Sequence, residues 1–160
     1  MKAGPFSGAL GALIIGTACI AGAQTQTVTY SVTAINVIAF LGSPSVSVTT
    51  ATAGSQPTSN TDASTGTWAV TTNQTGSKIS GSIASAMPTG LTLSADLAAP
   101  SGATSAGFLA LGTVAVDLVT GITKLAQGSL AASYKLDATA AAGVVSSATK
   151  VVTYTITGGT

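Results

Sequence analysis

Apolar residues in this chain recur at every second position, not every third or fourth. From residue 27 the order TVTYSVT puts Val28, Tyr30 and Val32 on one face and Thr27, Thr29, Ser31 and Thr33 on the other. That alternation is what a half-buried strand requires. After a bend near Ala34 the apolar stretch runs on through Ile35, Val37 and Phe40. Pro44 opens a further strand, SVSVTT, with Val46 and Val48 in phase. Residues 52–66 carry Gly, Pro, Asn, Asp and many hydroxyls without a large apolar side chain, the composition of a loop.

A strand begins at residues 66–70 and runs to a turn at residues 73–76 (NQTG), with residues 78–83 (KISGSI) predicted as its hairpin partner. Leu91, Leu93, Ala95 and Leu97 form another alternating face, and residues 108–111 and 114–116 are short strand candidates. Residues 117–122 fit either a helical turn or a strand end, and Gly121 and Gly128 bracket a linker. Leu130, Ala132, Tyr134, Leu136 and Ala138 alternate against Ala131, Ser133, Lys135 and Asp137. Residues 138–142 favour helix by propensity, but so short a run cannot sustain one. The last strand, KVVTYTIT, places Val152, Tyr154 and Ile156 on one face.

About eight strands separated by turn signals predict an all-β fold, an antiparallel β-sandwich of immunoglobulin-like or jelly-roll type. Alanine would favour helix, but Thr/Val alternation and the Gly and Pro spacing override it. No cysteine pair flanks Trp68, so the disulfide pattern of an immunoglobulin domain is absent.

Residues 1–23 read as a secretory signal peptide. Lys2 supplies the positive end, residues 10–20 (LGALIIGTACI) the apolar centre, and Ala21-Gly22-Ala23 the small residues before cleavage at Gln24. A buried N-terminal helix is the alternative, weakened by Gly8, Gly11 and Gly16. A second alternative is lipid attachment at Cys19, the single cysteine; Gly16 stands where such sites usually carry Leu. The expected destination is outside the cell or on its surface, and residues 24–160 form one domain. No membrane association of the mature chain is expected unless Cys19 is lipidated.

Ser and Thr supply 46 residues, Ala 29 and Gly 19, against 5 Lys and 4 Asp, and there is no Arg, Glu or His. Histidine-based catalysis or metal ligation and arginine clamps are therefore impossible. The near-neutral balance offers no field for nucleic acid, and it removes the repulsion that keeps copies apart. Asn60 and Asp62 are the best oxygen pair for calcium, but two ligands do not make a site. Ser77 or Ser80 beside Lys78 is a formal Ser–Lys dyad without a visible means of lowering the lysine pKa. Lys78 or Lys135 with Asn36 or Asn73 is a formal isopeptide combination. Asn73-Gln74-Thr75 is a glycosylation triplet that also reads as a β-turn, and Trp68 reads as core. Neither an enzyme nor a cofactor is expected.

Residues 28–33 (VTYSVT) resemble residues 152–157 (VTYTIT). Two strands of one pattern can occupy equivalent places in a sheet. Residues 27–40 of one copy are thus a candidate donor strand, with Val28, Tyr30, Val32, Ile35 and Val37 at the subunit interface. Val152, Tyr154 and Ile156 would line the acceptor or lie beside it. The expected partners are other copies of the chain, joined head to tail. The alternative is a monomeric adhesion module that reads a ligand through residues 52–66.

The exported, cysteine-free sandwich with a Thr/Val-rich strand at its mature N-terminus resembles fibre subunits of the TasA/camelysin type and archaeal bundling pili. The segments TWAVTTN (67–73), AMPTGLTL (86–93) and VVTYTIT (151–157) are similar to secreted microbial surface proteins. The resemblance implies polymerisation by donor-strand exchange; it carries over no functional residue.

Overall fold

The computed structural model describes residues 22–160. Most of the expected signal peptide (residues 1–23), Cys19 included, lies outside the described residues. The chain divides into two units, one ending at Val32 and the other Thr33–Thr160. In the first unit, residues 22–32 are exposed and have no regular secondary structure. Val28, Tyr30 and Val32 therefore carry a strand's pattern without a strand's partner: alternation is necessary for a ladder, but a ladder also needs an edge to pair with.

The second unit is all-β. Its strands are β1 (Asn36–Leu41), β2 (Asn60–Thr72), β3 (Ser77–Ile83), β4 (Leu91–Leu97), β5 (Thr104–Ser105), β6 (Leu109–Ala110), β7 (Val116–Ile122), β8 (Leu125–Ala138) and β9 (Val152–Thr157). They form two antiparallel sheets, one ordered β1-β2-β8-β4-β6 and the other β5-β7-β3-β9. The sheets face each other as a β-sandwich. Inward positions follow the period of two: Ser77, Ile79, Gly81 and Ile83 are buried on β3, and Trp68, Val70 and Thr72 on β2. Leu97, Leu118 and Ile122 complete the centre of the core.

Several local expectations give way to tertiary pairing. The turn at residues 73–76 exists, but β2 and β3 are not a hairpin. β2 pairs with β1 and β8, whereas β3 pairs with β7 and β9. Both strands bury an apolar face, and laying those faces against each other covers more apolar area than setting the strands side by side. The predicted loop 52–66 is shorter, because β2 begins at Asn60. Residues 117–122 are strand, and the expected linker after Gly121 is a tight turn at Thr123-Lys124 that leads into β8. Residues 45–50, predicted as a strand, have no ladder partner. The Ala-rich run reduces to one 3-10 turn, Ala140–Ala142.

The C-terminal residues close the structure against the 73–76 turn. Thr75 and Thr160 exchange backbone hydrogen bonds, N to O, at 3.0 and 3.1 Å. The Gly159 N–H donates to the buried Ser77 hydroxyl at 3.3 Å. A Cβ on Gly159 would lie 1.6 Å from the Thr75 carbonyl oxygen, so only glycine fits there. Without a disulfide among the described residues, stability rests on packing and on such backbone pairs. We expect Leu118→Ala, at a fully buried site, to lower stability by about 2–5 kcal/mol. The denaturant midpoint should fall with the m-value unchanged.

Candidate functional site

The two sheets differ in reach. β8 has 14 residues and β2 has 13, whereas β3 and β7 have 7 and β9 has 6. At about 3.3 Å per residue, the longest strand runs roughly twice as far as any strand of the opposite sheet. One end of the larger sheet thus extends past its cover. Its inner side chains there, Leu91, Leu93, Tyr134 and Leu136, form the floor of a groove of about 1510 Å³. Two non-sheet segments, residues 44–51 and 143–150, border it.

A bulge in β2 shapes this end. Asp62 pairs with Tyr134 and Gly66 with Ala132, so residues 63–65 face a single residue, Ser133, and loop outward. The Asp62 carboxylate organises the excursion. It accepts from the backbone N–H of Ser64 and of Thr65, both at 3.1 Å, and from the Thr65 hydroxyl. It also accepts from the Ser45 N–H at 2.9 Å, which fixes the start of the 44–51 segment. These donors hold its pKa well below the usual carboxylate range, with the Thr65 hydroxyl the largest cause. Gly42, at φ +98°, lets the chain leave β1 beside the bulge; a Cβ there would lie 1.9 Å from the Thr65 carbonyl oxygen.

The far border is held at its ends. Lys150 Nζ donates to Ser85 Oγ at 2.8 Å and to the carbonyls of Ala86 at 2.9 Å and Ser85 at 3.3 Å. The Ala140 N–H donates to Gln56 Oε1 at 2.7 Å. Between these anchors, the backbone groups of residues 46–49 and 144–149 make no hydrogen bond with any described residue. Val46 and Val48 are half-buried, while Val144 is fully exposed.

An aromatic stack separates the groove from the core. Phe40 lies 4.0 Å from Tyr154 and 6.0 Å from Trp68, with near-parallel rings. The Tyr154 and Tyr134 hydroxyls share a 2.7 Å hydrogen bond across the two sheets. Burial, then the bond to Tyr134, raises the Tyr154 pKa, so it stays a neutral phenol.

The sequence-predicted interface residues separate into groups. Val28, Tyr30 and Val32 are exposed, Tyr30 to 90 %. Ile35 and Val37, which belong to the 27–40 candidate, are held by residues of their own subunit in this structure. The Ile35 N–H donates to Asn73 Oδ1 at 2.8 Å and its carbonyl accepts from the Asn73 N–H at 3.2 Å. Val37 pairs with Thr71 inside its own subunit. Asn73 Nδ2 donates to the Thr33 carbonyl at 2.7 Å, so the glycosylation triplet's Asn anchors the root of the N-terminal segment. Val152 and Tyr154 line the groove, whereas Ile156 packs against the core. Sequence reasoning missed residues 143–150 as a border; the Val144-Val145 pair in a Ser/Thr-rich context was the available signal.

The other formal chemistries are not assembled. Lys78 forms an exposed ion pair with Asp117 at 2.9 Å, and Ser77 points inward to Thr72 and Asn36. Asn36 is held by Gln74 and Thr72, not by a lysine. Among the described residues, no group of three or more His, Cys, Asp or Glu side chains could hold a metal ion.

Compared with protein-family models, curated proteins and solved structures, the chain finds no match in any of the three.

Asp62 sets an acid limit on the groove's border. Its pKa is lower in the folded chain than in the unfolded one, so its contribution is full above an unfolded value of about 3.9 and is lost as pH falls through the folded value. We expect hydrogen-exchange protection at the Ser45, Ser64 and Thr65 amides to hold at neutral pH and to decay under strong acid. Asp62→Ala should remove it at every pH while the core amides of β3 and β7 stay protected.

Proposed function

We propose that this chain is an exported structural subunit that polymerises by β-strand addition, in which residues 27–33 of one copy complete the fold of the next. One observation carries the reading. An uncharged, strand-patterned segment bears Val28, Tyr30 and Val32 exposed and unpaired, in a chain whose sandwich leaves one end open as an apolar groove. Backbone pairing would supply affinity and the alternating side chains would set register. The segment's root is fixed by Asn73 at residues 33–35, so what precedes it can reach a neighbour without disturbing β1. A head-to-tail contact of this kind leaves one donor and one acceptor free at the two ends of every open chain, and gives a filament where its rotation does not close a ring. A surface rich in Ser, Thr and Ala with near-zero net charge suits lateral packing of such filaments. The same reading places the protein outside the cell, in a fibre, pilus-like appendage or biofilm matrix.

The test is deletion of residues 24–32. All the strands lie in Thr33–Thr160, so the shortened chain should fold with an unchanged circular dichroism spectrum. It should stay monomeric by light scattering, where the chain cleaved before Gln24 forms filaments by electron microscopy. Tyr30→Asp should have the same effect. Normal filaments from the deletion variant would overturn the proposal.

A further inference from the structure

We infer that the donor strand enters between residues 45–50 and 144–149, and that both segments become strands only when it does. This rests on the strand-addition reading and names its acceptor, which is not the edge of β9.

Extended backbone carries an N–H and a C=O on either side, and a strand laid alongside is what pairs them in a ladder. Residues 46–49 and 144–149 leave them unpaired toward every described residue. Both segments nevertheless have strand-like sequences, SVSVTT (45–50) and VVSSAT (144–149), close in type to the donor VTYSVT (28–33). The three segments match in length. A strand laid between the two borders would pair on both sides, whereas β9 offers one edge only.

Side-chain chemistry selects the same occupant. The groove floor of Leu91, Leu93, Leu136 and Tyr134 would be covered by the row Val28, Tyr30 and Val32. The one charged residue lining the groove is Lys150, and its ammonium is bound by Ser85 and Ala86. Residues 24–35 carry no charged side chain. A charged peptide would leave its charges uncompensated there, so an uncharged, alternating strand of a second copy fits best. Tyr134 and Tyr154 add a polar point, because a hydroxyl pair leaves one proton to donate to an incoming carbonyl or phenol.

Hydrogen exchange separates the possibilities. The assembled chain would be compared with the full-length Tyr30→Asp chain, whose substitution lies in an exposed segment and leaves the sandwich intact. In Tyr30→Asp, amides 46–49 and 144–149 should exchange at rates close to those of an unfolded peptide. In the assembled protein those amides and amides 28–32 should all slow by about 100-fold or more. Protection of 28–32 without protection of 46–49 and 144–149 would overturn this acceptor assignment and leave strand addition standing. Filaments in which amides 28–32 stay unprotected would overturn both. As a second measure, Leu136→Lys at the groove floor should block acceptance of a strand; equal filament yield from that variant would also overturn the assignment.

Discussion

The feature on which the rest of this structure depends is the unequal length of its two sheets. A sandwich is stable where both inner faces are covered, and here coverage is complete only around Trp68, Ile79, Leu97, Leu118 and Ile122. Past that centre β2, β4 and β8 continue while β3, β7 and β9 do not. The extra length exposes half-buried apolar side chains at Leu91, Tyr134 and Leu136. Burying them would return about 25 cal/mol per Å² of apolar surface.

Two devices keep the open end from collapsing or fraying. The Phe40–Tyr154 stack and the Tyr134–Tyr154 hydrogen bond tie the sheets together at the boundary. Stacked pairs of this kind contribute about 0.5–1.5 kcal/mol beyond the area they bury. On the border, Asp62 gathers four donors, one of them from Ser45, and ties the start of the 44–51 segment to β2. Lys150 fixes the opposite segment through Ser85 and Ala86. The groove is therefore framed at its ends by groups whose own hydrogen-bonding needs are met, and between them the backbone of residues 46–49 and 144–149 has no partner among the described residues.

Composition and topology act together. With few charges and no cysteine in residues 24–160, the chain has neither strong repulsion between copies nor disulfide staples. An alternating exposed segment and an apolar groove in one molecule are the two features from which the proposed strand addition is argued.

The sequence alone determined the fold class, because the period of two is local and pervasive. It also located β4, β9, the part of β8 from Leu130 on, and the turn at residues 73–76. It could not tell that β2 and β3 face each other instead of pairing, since a turn of the same residues serves a hairpin or a corner between sheets. It could not tell that residues 45–50 lack a partner, since alternation records which side of a strand is apolar and not whether an edge is available. The role of Asp62 was equally hidden: its donors Ser64 and Thr65 are local, but Ser45 reaches it only when β1 lies on β2. Ile35 and Val37 look the same as Val28 and Val32 in one dimension. Only the tertiary structure separates them: Asn73 and Thr71 hold the first pair in the sandwich, whereas Val28 and Val32 are exposed and outside regular secondary structure.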